Sequence, residues 1–434
     1  TLNPRQKHEL AFYLKDYNKD KYPHKNFPRR YDLLYLRDSL FSLTINPIAG
    51  GELYVTGSGH AYHWWNGLYA HATVGSWSFY ASLTDNHESE KLMSPSFLTQ
   101  SQGGANIKRF SSGKQDYWES RGGVRYEWDK GYIGLVKDNF SWGSGYNGSL
   151  IFSGRTPSFT HLTLQVRPVK WFEFNYVHGW LVSEVVDSSR SFYYSTPAGL
   201  TYRKMYHRKF MAANMFTFKP IKELQISAGN AIIYDYENAH PAYFIPVLFW
   251  KAVDHHLQSG MDNMNSMMFM DISVKPLPHT HIFASAFVDE LAVKRIFDPD
   301  EFNYLSVKAG CRLNNLVENT WLGAEYTWTN VYTFRHYVPT LSYESNRYNL
   351  GHYLADNAQE FFANAGYRPF PLTSFEISYT RCLKGPDHTA LGSSRVGIIP
   401  FTPIVWESDA LAVKASWQVI NDVWLYGGYT WQNI

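Results

Sequence analysis

The residues of this chain best suited to recognising a ligand lie in one run, Asn139-Phe140-Ser141-Trp142-Gly143-Ser144-Gly145-Tyr146-Asn147-Gly148. The rings of Trp142 and Tyr146 offer apolar faces on which sugars stack, and the Asn147 amide bonds hydroxyls, so these three are candidate glycan-binding residues. The same composition also serves as a glycine-rich surface turn with interfacial aromatics, and that alternative stays open. The glycines do not build a phosphate loop, because no strand–loop–helix context surrounds them. Asp254, His255 and His256 are metal-ligating types, but adjacent histidines on an irregular loop rarely converge without further ligands, and no metal is expected. No nucleophile, histidine and carboxylate stand in an order that supports hydrolysis, and Asp289-Glu290 sits at a strand end where solvation is the default. The chain is therefore expected not to be an enzyme and to need no cofactor.

What positions these residues is a β-framework, clearest over residues 268–289. Met268, Met270, Ile272 and Val274 share one face there, and Phe269, Asp271, Ser273 and Lys275 the other. After the turn Lys275-Pro276-Leu277-Pro278-His279, Ile282, Ala284, Ala286 and Val288 oppose Phe283, Ser285, Phe287 and Asp289. Period two means strands with two different neighbours, one apolar and one polar or mixed.

Composition narrows those neighbours. Aromatic residues make up 17% of the 434, including 32 Tyr and 15 Trp, and charged residues only 18%, below the roughly 25% of soluble domains. The net charge of +2 gives no basic face of the kind nucleic acid requires. The most apolar run, 243–250, contains Pro246 and falls far short of the ~20 residues of a membrane-spanning helix. Cys311 and Cys382 fall in separated strands with opposite facing, which argues against a disulfide. No charged-then-apolar leader opens the sequence, and removal of an export signal is the favoured reading.

A short helix is expected over 3–18, with Asn3 as cap and Pro4 at the first helical position. Residues 38–47 read as an extended segment that approaches the wall without crossing it. The chain thus divides into an N-terminal periplasmic segment, 1–47, and a barrel, 48–434. Strands are expected near 52–56, 61–74, 77–83, 122–128, 132–138, 161–167, 172–180, 210–218 and 224–234. Further ones follow the 268–289 hairpin near 304–313, 321–328, 361–367, 375–384, 411–419 and 423–431. Short turns alternate with long connections. Four of the turns share a basic-Pro pattern, at Arg167-Pro168, Lys219-Pro220, Lys275-Pro276 and Arg368-Pro369, where proline closes a strand ladder.

These are the marks of an all-β, transmembrane antiparallel β-barrel in a bacterial outer membrane. Trp128, Trp171 and Phe218 near short turns, and Trp142, Trp180 and Trp328 near long ones, would form its two aromatic girdles. The readable strands number about 17, and with both termini on the periplasmic side a last strand beyond the sequence is expected, for about 18 in all. Inward faces carry both charge signs: Arg125 and Glu127, Arg167 and Glu173, Asp271 and Lys275, Lys308 and Arg312, Glu325, Glu360 and Arg368, Glu376 and Lys414. They are expected to pair across the lumen and fill it, where a general porin keeps an open channel.

The segment Asn238-Ala239-His240-Pro241-Ala242-Tyr243-Phe244-Ile245-Pro246, then Met261-Asp262-Asn263 and Phe287-Val288-Asp289-Glu290, resembles the Wzi-like capsule assembly family as found in Bacteroidetes. Arg30-Tyr31-Asp32, Ile45-Asn46-Pro47 and Lys137-Asp138 to Trp142-Gly143 are similar to that pattern too. The resemblance implies a barrel of about 18 strands with periplasmic helical material and a largely occluded interior, serving as a surface lectin that organises capsular polysaccharide. The helical part here is short. Outer-membrane lipid is the expected surrounding, with surface polysaccharide or other outer-membrane proteins as partners. An accessory subunit of a larger secretion or insertion complex, and a diffusion porin, are the competing expectations.

Overall fold

Strands with one apolar and one polar face satisfy their backbone groups in lipid by curling into a closed sheet, since hydrocarbon offers no hydrogen bonds to a free edge. The computed structural model shows such a sheet over the described residues, 32–57, 59–89, 114–257, 263–290, 303–386, 403–420 and 422–433. The helix expected over 3–18 lies outside them. In chain order the strands are β1 (Leu34–Arg37), β2 (Phe41–Thr56), β3 (Gly59–Val74), β4 (Trp77–Glu88), β5 (Gln115–Trp128), β6 (Gly131–Asp138), β7 (Phe159–Val169) and β8 (Phe172–Leu181). Next come β9 (Phe192–Thr196), β10 (Gly199–Arg203), β11 (Lys209–Ile221), β12 (Leu224–Tyr234), β13 (Met264–Val274), β14 (Thr280–Glu290), β15 (Tyr304–Asn314) and β16 (Thr320–Thr329). The last are β17 (Glu344–Ser345), β18 (Tyr348–Asn349), β19 (Ala358–Tyr367), β20 (Thr373–Lys384), β21 (Trp406–Ile420) and β22 (Val423–Asn433).

Eighteen of these form one antiparallel meander, with β8 passing to β11 and β16 to β19, while β9–β10 and β17–β18 are separate hairpins. The Tyr426 hydroxyl of β22 donates to Glu52 of β2, so the two ends of the sheet come within reach of each other's side chains as it curls around a bore. No helix among the described residues is long and apolar enough to cross a membrane; the strands cross it. Turns at one rim, such as 75–76, 129–130, 222–223 and 275–279, hold two to five residues, whereas 139–158, 182–208, 235–263 and 330–357 at the other are long. In outer-membrane barrels the short-turn rim faces the periplasm.

Residues 38–47 do not stop short of the wall. β2 runs from Phe41 and pairs along its whole length with β3, and the sheet's eighteenth strand is β1, paired to residues 42–45 of β2. Pro47 hid this strand from a sequence reading. Beyond Ile45, β2 has a partner on one side only among the described residues, and an edge is where a strand tolerates proline.

Register confirms the facing of the 268–289 hairpin, with Asp271 opposite Ser285 and Met270 opposite Ala286. Trp128, Trp171 and Phe218 are exposed at the short-turn rim, joined by Trp77, Trp417 and Trp424, and Trp180 is exposed toward the long-loop rim. Trp142 is not a girdle residue: it packs inside the bore against Phe140 and Phe152. Cys311 and Cys382 are both free, one exposed and one buried.

Residues 235–250 fold back over the outer wall, and this explains two asparagines on the face that also carries Met270. Asn214 Nδ2 donates to the carbonyls of Pro246 (2.8 Å) and Leu248 (3.0 Å), and Asn230 Nδ2 donates to Asn214 Oδ1 at 2.7 Å. The amide of Trp250, first residue of helix α1 (Trp250–Leu257), donates to Asn230 Oδ1 at 3.1 Å. Trp250 itself is fully buried with Tyr176, Tyr234 and Tyr243. Trp250→Ala is therefore expected to destabilise the protein by about 3–5 kcal/mol and to open 235–263 to protease, measured by thermal unfolding and limited proteolysis in detergent.

Candidate functional site

Connection 139–158 enters the bore because its tip can turn sharply and its root is apolar. Gly143 and Gly148 have φ of +94° and +90°, and a Cβ on Gly145 would meet the Gly148 carbonyl oxygen at 2.3 Å, so the tip closes only with glycine at these positions. The root is tied by a Trp142–Phe152 backbone pair. Leu150, Ile151 and Phe152 join Met211, Met267, Phe269 and Phe287 of the wall with Phe334, Tyr343 and Leu350 of connection 330–357. One side of the bore is thus filled by hydrocarbon, where the sequence suggests a polar lumen.

The tip binds three carboxylates on the far wall. Ser144 donates to Asp271 of β13 through its amide and its hydroxyl, both at 2.8 Å. The amides of Tyr146 and Asn147 donate to Glu325 of β16, the latter at 3.1 Å, and Asn147 Nδ2 donates to Glu360 of β19 at 3.1 Å. Between β6, where the connection starts, and β16, seven strands lie on one side and nine on the other, so the loop crosses nearly a full diameter. Its tip also crosses most of the depth: the Tyr146 hydroxyl is 2.7 Å from His281 Nδ1, two residues past the short turn 275–279, and Arg312 lies 4.3 Å over the Tyr146 ring.

Few of the lumen charges pair with one another: some engage the loops, and others meet aromatic or uncharged polar groups of the wall. Arg167 pairs with Glu173 at 2.7 Å, and Lys308 with Glu325 at 2.8 Å. Asp271 serves Ser144 and Ser285 instead of Lys275. Glu360 serves Asn147, Tyr353 and His352 Nε2 (3.2 Å). Arg125 lies over the rings of Tyr80 and Tyr132, while Glu127 accepts from Ser78. Arg312 and Arg368 both stack on Trp321, and Glu376 accepts from Asn364. Lys414 stands opposite Glu376 in register without an ion pair. Sequence spacing places residues on a face, but it does not reveal that a loop will take the acceptors first.

In connection 330–357, the Asp356 carboxylate accepts from the amides of Phe334 (2.7 Å) and Arg335 (2.9 Å). Burial pushes its pKa up to about 6, with those two amides working against the shift.

Trp142, Tyr146 and Asn147 therefore stand inside the barrel, and the outward aromatic surface is elsewhere. In connection 182–208, β9 and β10 form a hairpin turned at Gly199 (φ +112°). Tyr193, Leu200 and Tyr202 lie on one face, with Phe192, Tyr194 and Arg203 on the other, and all six are exposed. The Tyr193 and Tyr202 rings are 4.8 Å apart, and Arg203 sits 5.8 Å over Phe192. The legible signal was an alternating run, Phe192-Tyr193-Tyr194-Ser195-Thr196, with aromatics on both faces, which a strand dividing lipid from lumen does not carry. Asp254, His255 and His256 lie on helix α1, their side chains outside the described residues; no group of metal-ligating side chains occurs among those described.

Two outcomes follow. Glu325→Ala removes the acceptor for two loop amides and strands Lys308 in the interior, which should cost about 3–5 kcal/mol and raise single-channel conductance as the tip detaches. Because the folded pKa of Asp356 exceeds that of an unfolded aspartate, its contribution is fully present below about pH 4 and lost as pH rises through about 6, on the order of 3 kcal/mol in all. Thermal unfolding between those pH values should show that slope, flattened in Asp356→Asn.

No family description matches the chain, and no curated protein does. Among solved structures it is similar to the Escherichia coli outer-membrane protein Wzi, described as involved in group 1 capsule assembly and as a carbohydrate-binding β-barrel. That likeness has a TM-score of 0.53 and 13% identity, over 91% of this chain and 80% of Wzi. Acinetobacter baumannii OccAB2 (TM-score 0.44, 9% identity, 91% and 98% covered) and Pseudomonas aeruginosa OccK8 (0.45, 11%, 91% and 93%) are also similar. With its apolar outer band, aromatic rims and curled meander, the chain is an outer-membrane β-barrel.

Proposed function

We propose that this barrel is non-enzymatic and binds surface polysaccharide on its outward side, as a protein of the Wzi-like kind its motifs resemble. The observation that carries this reading is the β9–β10 hairpin, which holds four aromatic side chains and Leu200 in solvent on both faces. Rigid tyrosine rings present an apolar face and a polar tip at low entropic cost, which suits a ligand with alternating C–H and hydroxyl surfaces. A two-stranded hairpin is marginally stable alone, so a bound polymer would also hold it in place. The bore-spanning loop supports the same reading, because it opposes free diffusion through the barrel. The likeness to Wzi, whose description is a carbohydrate-binding barrel, agrees with it.

The test is retention of cell-bound polysaccharide, with affinity for the isolated polymer measured on purified barrel. Tyr193→Ala with Tyr202→Ala should lower affinity by about tenfold, the loss of roughly 1.4 kcal/mol, while barrel stability changes by less than about 0.5 kcal/mol each. Unchanged binding contradicts the reading. Co-purification of stoichiometric proteins, lost in the same variant, would instead favour an accessory subunit. Ohmic conductance of the native barrel in planar bilayers would favour a porin.

A further inference from the structure

Turns 222–223 and 275–279, with the start of β14 and the end of β15, enclose a cleft of about 490 Å³ at the short-turn rim, within the size range of small-ligand pockets. Its polar lining includes Lys222, Glu223, Lys275, His279, His281 and Asn314. Neither lysine forms an ion pair among the described residues, and Glu223 is the one carboxylate in the lining. The Lys275 amide donates to the Glu223 carbonyl at 2.7 Å, so both lysines project from turns held in one frame. His279 adopts φ +67°, a left-handed conformation uncommon outside glycine, and the flanking Pro276 and Pro278 stiffen its turn.

The back of the cleft is equally fixed. His281 uses both ring nitrogens, Nε2 with Ser273 Oγ at 2.8 Å and Nδ1 with the Tyr146 hydroxyl. Arg312, stacked on Tyr146, donates from Nε to Asn314 Oδ1 at 3.1 Å. A further cation is thereby held behind the lining, together with the carboxylates of Asp271 and Glu325 that also act on His281, so the excess of positive charge belongs to the lining itself, two lysines against Glu223. Proline rings and Leu277 supply an apolar floor beside those charges.

We infer that this cleft is a binding site for an anionic saccharide segment on the periplasmic side, the acid group facing Lys222 and Lys275 and the sugar ring lying against the proline turn. The inference rests on the polysaccharide reading and deepens it: the polymer would be acidic and would meet the barrel at a second place. Ordinary rim lysines in water, the simpler account, would not discriminate a sugar from a bare anion.

Calorimetry on the full barrel in detergent tests this with three probes: a hexuronate oligosaccharide, its carboxyl-reduced neutral counterpart of equal length, and inorganic sulfate. The uronate oligomer should bind about tenfold or more tightly than the neutral one, and Lys222→Glu with Lys275→Glu should abolish that preference. Tyr193→Ala with Tyr202→Ala should leave the preference intact, since the hairpin is at the other rim. Equal affinity for the neutral oligomer, displacement by sulfate at matched charge concentration, or an unaffected lysine double variant each overturns the site. If the hairpin variant alone loses polymer, the outward reading stands without the cleft. If the lysine variant alone does, the cleft stands and the hairpin assignment falls.

Discussion

Everything inside this barrel depends on where a few acids find their donors. An 18-stranded sheet encloses more space than its own side chains fill, and carboxylates lining that space need partners. Asp271, Glu325 and Glu360 obtain them from the tip of one loop, and only Lys308 answers Glu325 as a salt bridge, with both side chains at or below 1% exposure. Backbone amides are good donors for this purpose: they are numerous, carry no ionic desolvation cost of their own, and approach closely where glycines remove side chains. The same bonds that neutralise the wall thus hold the loop across the bore.

The wall was legible from sequence because lipid imposes period two along most of each strand, and strands such as 224–234 and 375–384 reproduce it almost to the residue. Facing of individual residues was legible for the same reason, as with Asp271 and Met270. What failed was local or non-local in a way periodicity does not register. Pro47 disguised a strand at an edge, where its missing amide does no harm. The apolar run 243–250 is no membrane helix, as its length and Pro246 require, but periodicity does not register that it is a strap whose carbonyls are taken up by Asn214 and Asn230.

The loops were legible in type but not in direction. Gly143, Gly145 and Gly148 announced a tight turn, yet nothing in their spacing says whether the turn faces water or the bore; Leu150, Ile151 and Phe152, just beyond it, carried that information. Asp271 and Lys275 do not pair, because the acid accepts from Ser144 and Ser285 instead. Two of the motifs behind the resemblance supply structural contacts: Asn46 Nδ2 donates to Asp32 Oδ1 at 2.9 Å, and Phe287 packs on Tyr343 in the bore.

The central claim is that connection 139–158 lies inside the barrel while 182–208 faces out. Single cysteines placed at Tyr146 and at Leu200, in a background where Cys311 and Cys382 are serine, decide it when intact cells are treated with a bulky, impermeant maleimide. The account requires rapid labelling at position 200 and none at 146 until the outer membrane is permeabilised. Equal labelling of both on intact cells would place the 139–158 tip outside and contradict it.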